Sequence, residues 1–361
     1  MKTILRTFVG CTAILFGTAC MGAVKYVPEN MKVELSLKVP GNNAVNYKLH
    51  PDKLENSYFD YEWRSDNKLP ITVFHKVEER DSCMRLTVQL TAAQDVYFNY
   101  RQLLSTGYRH DNCQFYMPGF WYRRNLRSPK KAPSFHTSDS WLVREDRLSA
   151  PLTGIFSEKE KRFMTVNRLD DFSMDALATH KEGEIILSGK TSLGFTGFEN
   201  QQGIAMLSFG FPYREAPKSY IRKLTLAPEV EAFQLMKKGE SVLLTWEIME
   251  SGADDFSDFI QNTWEHCYDT YAPKPVENSY SIADMKQVLS CFFVNSLVDN
   301  QPLVYNSGIH LKVSDCERNG QAEVGFIGRV LLNAFNAWEY GWQSNRKELK
   351  VNSTKIFDSY L

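Results

Sequence analysis

A polar loop followed by an apolar run carries most of the residues that could do acid–base chemistry. Residues 307–340 begin as an irregular polar segment and acquire a helical apolar period at about position 320. A polar loop that leads into a helix start is a common way to build a site. Six side chains there could donate, accept or bind: His310, Asp315, Glu317, Gln321, Glu323 and Arg329.

Two reaction types are compatible with these side chains. A glycoside hydrolase needs one protonated and one ionised carboxylate, which Asp315 or Glu317 and then Glu323 would supply. A lyase needs a base such as His310 and a cation such as Arg318 or Arg329 to neutralise the carboxylate beside the abstracted proton. The sequence leaves both reactions open. It also leaves open that Glu323 caps its helix and that the loop charges face water.

A second candidate segment, residues 117–127, combines aromatic and basic side chains. Planar aromatic rings stack on sugars, and arginine pairs with a carboxylate through two parallel hydrogen bonds. The segment therefore suits an acidic glycan that contains uronic acid. The alternative is a loop that packs on the helical part with its arginines solvated. The predicted substrate-binding residues are Gln321 from the first stretch and Trp121, Tyr122, Arg123, Arg124 and Arg127.

The elements that must position these residues change type at about residue 251. Before it, apolar and polar residues alternate, as in Val33, Leu35 and Leu37, and turn signals separate the alternating segments. Many short strands with no helix between them indicate a large antiparallel β sandwich, which we predict over residues 24–250.

After residue 251 the apolar period is helical. Residues 251–275 are predicted to form a linker helix, and residues 276–361 a partial helical domain. A capping box of Ser281 and Asp284 starts its first helix, and further helices are expected at about 321–340 and 346–360. The residues expected to be buried on the first of these helices are Ile282, Met285, Val288, Leu289, Phe292 and Phe293.

The first 23 residues have the features of an export signal. Lys2 and Arg6 precede a short apolar run that ends at Phe16. Small residues before Cys20 are typical of a lipoprotein, whose signal would end at residue 19 and leave a lipid anchor on Cys20. Ordinary cleavage near Ala23 is the alternative. Both predict an exported protein of the periplasm or the outer membrane, which touches a membrane only through such an anchor.

Composition excludes several classes of partner and cofactor. A net charge of −1 argues against nucleic acid or an anionic membrane as the main partner. The seven cysteines show neither a C-x-x-C spacing nor paired histidines, so no metal site is predicted. No glycine-rich nucleotide loop and no G-x-S-x-G motif occurs, and we predict no cofactor.

The order of elements and three segments resemble exported polysaccharide-degrading enzymes of gut Bacteroidetes. The segments are the lipoprotein-like start, MPGFWYRRN at 117–125 and GQAEVGFIGR at 320–329. In such enzymes a β sandwich is followed, through a linker helix, by an (α/α) toroid of paired helices. The resemblance implies an exported polysaccharide lyase or glycoside hydrolase.

The helical region is too short for a complete toroid, so the resemblance implies an incomplete one. We expect a truncated carbohydrate-active enzyme that acts on an acidic polysaccharide or oligosaccharide. The alternative is a non-catalytic surface lipoprotein that binds glycans. Turnover of a uronic-acid oligosaccharide would distinguish the enzyme from the binding protein.

Overall fold

The protein consists of two compact units, Met1–Ala272 and Pro273–Leu361. In this computed structural model the described residues are 27–80, 83–170, 175–176, 181–222, 224–275, 277–295, 297–298, 302–305, 309–311, 316–318 and 329–361. Strands dominate the described part of the first unit, and three α-helices dominate that of the second. The predicted order of β followed by α is therefore confirmed.

Some strands of the first unit alternate between buried and more exposed residues, and others are buried on both faces. Their bounds are β1 (Met31–Lys38), β2 (Val45–Lys53), β3 (Tyr61–Arg64), β4 (Ile71–Glu79), β5 (Cys83–Ala92), β6 (Val96–Arg109), β7 (Cys113–Met117), β8 (Trp121–Arg123), β9 (Trp141–Arg144), β10 (Leu152–Ser157), β11 (Arg162–Arg168), β12 (Gly183–Ile186), β13 (Phe195–Gln201), β14 (Ile204–Phe211), β15 (Arg214–Glu215), β16 (Ser219–Arg222), β17 (Thr225–Ala227), β18 (Val230–Met236) and β19 (Ser241–Gly252).

Most of these strands pair as one continuous antiparallel sheet. The pairing order is β9, β13, β14, β6, β1, β2, β3, β4, β5, β19, β11, β10, β7 and β8. β18 pairs with the start of β6, with β15 and, in parallel, with β12, while β16 and β17 form a separate hairpin. The large antiparallel sheet expected from the alternating pattern is present.

The sheet curls until its two ends share a core. Trp121 in β8 and Trp141 in β9 lie at opposite ends of the pairing order, yet their ring centroids are 5.8 Å apart. Phe198 of β13 packs edge-on against Trp121, and all three side chains are buried. Burying such large aromatic side chains is a main source of stability in a β protein.

One helix belongs to the first unit and packs on this sheet. α1 (Phe256–Tyr271) begins at Asp255, whose carboxylate accepts hydrogen bonds from the N–H groups of Ser257 and Asp258. Phe259 on its buried face contacts the rings of Phe156 and Phe163 in the sheet. α1 is the helix observed where residues 251–275 were predicted to be helical.

The second unit contains three helices and four very short strands among its described residues. They are α2 (Ile282–Asn295), β20 (Leu297–Val298), β21 (Val304–Tyr305), β22 (Ile309–Leu311), β23 (Cys316–Arg318), α3 (Arg329–Gln343) and α4 (Lys347–Ser359). The capping box is confirmed, because Ser281 N–H donates to the Asp284 carboxylate and Asp284 N–H donates to the Ser281 hydroxyl.

The prediction that one face of α2 is buried is wrong for most of the residues on that face. Ile282, Met285, Val288 and Leu289 are exposed, while Ser290 is buried. The core of this unit consists of small and aliphatic residues on α3 and α4 with two from β21: Ala334, Ala337, Leu349, Ile356, Val304 and Tyr305. Helices in contact through alanines approach closely, which leaves no room for larger side chains between them.

No helix in the described part of the chain combines the length and the apolar character needed to cross a lipid bilayer. Residues 1–26, which contain the predicted export signal and Cys20, lie outside the described residues. Export and the lipid anchor therefore stay predictions from the sequence.

Candidate functional site

A loop after β7 is held in a defined shape by one asparagine. The side chain of Asn125 accepts a hydrogen bond from Tyr122 N–H at 3.0 Å and donates to the carbonyls of Phe120 and Pro133, each at 3.2 Å. Asn125 has φ +48°, and Arg123 nearby has φ +58°. Asparagine tolerates this left-handed backbone better than most residues, so it suits the position where the loop turns.

This loop forms one wall of an open groove on the first unit. The groove has a volume of about 650 Å³. None of the described residues that line it is acidic, and three of them are arginines. The lining residues are Gln114, Tyr122, Arg123, Arg124, Asn125, Leu126, Arg127 and Ser128.

Tyr122 provides the exposed aromatic surface of the groove. Its side chain is half exposed, and its hydroxyl accepts a hydrogen bond from Gly119 N–H at 3.3 Å. Its ring lies 5.4 Å from that of Tyr116, whose hydroxyl accepts a 2.7 Å hydrogen bond from the indole N–H of Trp264 on α1. The ring of Tyr122 therefore lies beside the ring of Tyr116, while part of it faces solvent.

Arg123 and Arg127 carry positive charge at the groove in different ways. The guanidinium of Arg123 lies 4.8 Å from the ring centroid of Phe256 and donates to the Gln114 side chain at 3.0 Å. Both of these partners are neutral, so Arg123 keeps its charge and other donors for a ligand. Arg127 is exposed and makes no hydrogen bond or ion pair with any described residue.

Arg124 has a different role from the one predicted. Its guanidinium donates to the backbone carbonyls of Asp111 and Cys113, and it lies 5.3 Å from the ring centroid of Phe135. These bonds occupy its donors and attach the loop to the end of β6 and the start of β7. Arg124 lines the groove but mainly holds the loop in place.

Trp121 cannot stack on a ligand as predicted, because its side chain is fully buried. Rings of Trp141, Phe135 and Phe198 lie within 5.1 to 5.8 Å of it, and its indole N–H donates to the Arg123 carbonyl at 2.9 Å. In β8 the side chains alternate, so Trp121 points into the core and Tyr122 points outward. The prediction for Trp121 is corrected to a core residue.

Two of the three predicted catalytic residues, Asp315 and Glu323, lie outside the described residues, as does the predicted substrate-binding residue Gln321. His310 belongs to β22, where its backbone is opposite Glu317 of β23 in an antiparallel pair. The strand register therefore pairs the backbone positions of a histidine and a glutamate. The catalytic role of His310 stays a prediction.

Four of the lining residues were not predicted as site residues: Gln114, Asn125, Leu126 and Ser128. Gln114 lies in β7 and Arg123 in β8, and these strands form a hairpin in which the Arg123 guanidinium donates to the Gln114 side chain at 3.0 Å. The turn signal at Pro118 and Gly119 could have indicated that hairpin. Asn125 and Leu126 lie within the predicted segment 117–127 and Ser128 directly follows it, so extending the segment by one residue would have included all three.

No protein-family model and no curated protein sequence matches the chain. Solved structures with a local similarity include a polysaccharide lyase, with 13% identity over 65% of this chain and a TM-score of 0.31. The chain spans 27% of the length of that lyase. A galactose mutarotase related enzyme from Lactobacillus acidophilus matches at 11% identity over 61% of this chain and 79% of its own, with a TM-score of 0.32.

An α-galactosidase from Lactobacillus brevis is also similar, at 7% identity over 61% of this chain and 29% of its own, with a TM-score of 0.26. All three names are those of carbohydrate-active proteins or their relatives. Because every TM-score is below 0.5, these similarities carry no argument about the mechanism or the substrate of this chain.

Proposed function

We propose that this is an exported carbohydrate-active protein that binds an acidic, uronic-acid-containing glycan in the groove beside β7 and β8. The observation that carries the proposal is the exposed ring of Tyr122 next to Arg123 and Arg127, with no acidic residue among the described residues of the lining. The ring offers a flat surface to a sugar, and the guanidinium groups match a carboxylate in shape and charge.

The charge balance around the groove supports a carboxylate ligand. The Gln114 side chain donates to the carboxylate of Glu158, which is not among the described lining residues. Arg127 has no described partner, and a ligand carboxylate would supply one.

A titration by calorimetry tests the binding. A uronic-acid oligosaccharide should bind, and the same oligosaccharide with its carboxylates esterified should bind at least tenfold more weakly. Arg127→Gln and Arg123→Gln should each weaken binding of the acidic ligand by roughly 10- to 100-fold, as expected for a charge-assisted hydrogen bond. Arg222→Gln, an exposed arginine of β16 outside the groove, is the matched control.

Tyr122→Ala separates stacking from charge. It should weaken binding of the acidic and the esterified ligand by a similar factor, because the aromatic surface does not depend on the carboxylate. Unchanged affinity in Arg127→Gln and Arg123→Gln together would refute the groove as the binding site.

We also propose that the protein cleaves a glycan of this class, as a lyase or as a hydrolase, with His310, Asp315 and Glu323 as the candidate catalytic residues. Incubation with the oligosaccharide should release reducing ends, and the absorbance of unsaturated uronate should rise only if the reaction is a lyase elimination. Glu323→Gln should abolish turnover without changing affinity. Binding with no turnover would instead support the alternative, a non-catalytic glycan-binding lipoprotein.

The finer architecture belongs to the same proposal. We propose that the curled sheet is a β sandwich and that the helices of the second unit are the first of an (α/α) toroid. The shared core of the two sheet ends supports the sandwich, and the order of α1, α2, α3 and α4 is compatible with a toroid. Export and lipidation at Cys20 are tested by fractionating cells that express the wild type and Cys20→Ala.

A further inference from the structure

Three side chains with metal-binding atoms meet where α1 packs on β5 and β19. Cys83 is the first residue of β5, Glu247 lies in β19 and His266 lies in α1. Their sulfur, oxygen and nitrogen atoms all lie within 4.8 Å of one another. Cys83 and Glu247 are buried, and His266 is partly exposed. The cluster is outside the groove and has no part in the proposed glycan binding.

The fold brings these residues together through strand register. Cys83 is opposite Met249, and Glu247 is opposite Arg85, in the antiparallel pair of β5 and β19. Residues two apart in a strand face the same side, so Cys83 and Glu247 both face the side that α1 covers. Cys83 and Met249 share a buried apolar cluster with Cys267 of that helix. The cluster is therefore built from three separate elements of the first unit.

We propose that Cys83, Glu247 and His266 bind a zinc ion, with one further coordination position left for water. Thiolate sulfur, imidazole nitrogen and carboxylate oxygen are the ligand atoms that Zn²⁺ takes in proteins. Three protein ligands from three elements leave the fourth position toward the partly exposed side of His266. The ion would join α1 to the sheet, which is a structural role independent of catalysis.

The surroundings of Glu247 are arranged as expected for an oriented ligand. Its Oε1 accepts hydrogen bonds from His266 Nε2 at 2.8 Å and from the Thr270 hydroxyl at 3.0 Å. The zinc ion would replace the bond to His266, while Thr270 would continue to orient the carboxylate. Arg85 lies 3.5 Å from the other oxygen, Oε2, and places a positive charge beside the cluster.

Binding is balanced by the release of one proton. In the metal-free protein Cys83 is a thiol, because burial and the neighbouring Glu247 raise its pKa to about 11. Zinc binding breaks the S–H bond, forms a zinc–sulfur bond and transfers the proton to solvent. His266 binds through Nε2 as the neutral imidazole, and the proton that Nε2 donates to Glu247 in the metal-free protein moves to Nδ1. Glu247 binds as the carboxylate, and no electron is transferred.

Metal titrations of the full chain test this proposal. After treatment with a chelator and a reductant, the wild type should bind one equivalent of Zn²⁺ at this cluster. Co²⁺ should give the near-ultraviolet charge-transfer absorption of a cobalt–thiolate bond. Cys83→Ser and His266→Gln should each reduce Zn²⁺ affinity at least tenfold and remove or shift that absorption. Cys113→Ser, a buried cysteine in β7, is the control and should bind as the wild type does.

Two further measurements distinguish a metal site from a purely structural hydrogen-bonded cluster. Zn²⁺ at a hundred times its Kd should raise the unfolding temperature of the wild type by roughly 5–10 °C and that of His266→Gln by much less. Arg85→Gln removes a nearby positive charge and should tighten Zn²⁺ binding several-fold. Zinc affinity that is unchanged in both Cys83→Ser and His266→Gln would overturn the proposal, as would absence of any zinc-dependent shift.

Discussion

The two units use their large apolar side chains in opposite ways. In the first unit Trp121, Trp141 and Phe198 are fully buried in the core of the curled sheet. In the second unit the helix–helix core contains Ala334 and Ala337, while large neighbours on the same helix remain at its surface. Each unit has a packed core, but only the first unit buries most of its described large aromatic side chains.

The difference shows what an apolar period can and cannot predict. A strand has two sides, and a sheet that encloses a core assigns one of them to the interior. A helix such as α3 has apolar residues around more than one side, and only the side that meets another helix is buried. The period thus predicts that α3 is a helix, but large apolar residues within that period, such as Leu331 and Phe335, are exposed.

The largest effect should come from truncating an aromatic side chain in the core of the first unit. Trp121→Ala leaves a cavity between the two sheet ends, and we expect a loss of about 3–5 kcal/mol in the free energy of unfolding. Urea denaturation followed by tryptophan fluorescence measures this loss. If Trp121→Ala left the stability unchanged and weakened glycan binding, Trp121 would be a ligand-binding residue of the groove and not a core residue. The contrast between the two units would then be wrong.

The stability of the first unit should also depend on pH through a buried imidazole. Burial lowers the pKa of His75 from its ordinary value to about 3. Because this pKa is lower in the folded than in the unfolded state, the stability is full above about pH 6.5 and declines as the pH falls. We expect a slope of about 1.4 kcal/mol per pH unit, hence about 2 kcal/mol between pH 6.5 and 5.

Denaturant unfolding at several pH values measures that slope. His75→Phe should reduce it even if the variant is less stable at every pH, because the titrating group is gone. The exposed His136 provides the control, and His136→Gln should keep the slope of the wild type. An equal slope in His75→Phe and the wild type would contradict the assignment.

Adding volume to the core of the second unit tests whether its helices are closely packed. Ala337 of α3 is buried. One turn further along the same helix, Gly341 lies close to the side chains of Leu349 and Lys350. Ala337→Leu should therefore destabilise this unit by about 1–3 kcal/mol. The measurement is thermal unfolding followed by circular dichroism at the helix band. Equal stability would mean that the core has room for larger residues.

The smallest effect is expected from an exposed aromatic residue of the second unit. Phe335 is 49% exposed on α3, so Phe335→Ala should change the free energy of unfolding by no more than about 0.5 kcal/mol. Phe198→Ala in the first unit is the matched substitution, and its loss should be comparable to that of Trp121→Ala. Similar losses for the two phenylalanines would remove the contrast between the units.

The sequence by itself determined the element types, their order and several local features. Alternation in part of the chain predicted the large antiparallel sheet, the helical period predicted α1 to α4, and the Ser281–Asp284 capping box is present. The sequence also predicted that the segment with Tyr122, Arg123 and Arg127 binds a substrate. These features depend on residues close together in the chain, so local spacing is sufficient to predict them.

Only the tertiary structure decided which residues of these elements are available for chemistry. Alternation in β8 shows that Trp121 and Tyr122 face opposite sides, but only the closure of the sheet assigns the tryptophan to the core. In the sequence Arg124 is equivalent to Arg123. In the structure the Arg124 guanidinium donates to the backbone carbonyls of Asp111 and Cys113. The identity of a side chain does not reveal which backbone groups will occupy its donors.

The same limit applies to clusters built from distant parts of the chain. Glu145 lies in a run of charges typical of an exposed strand end, yet it is buried and pairs with Arg168 at 2.7 Å. Cys83, Glu247 and His266 show no metal-binding spacing, because each comes from a different element. Strand register and the packing of α1 decide that they meet, since contacts between remote segments arise only when the sheet and helix assemble.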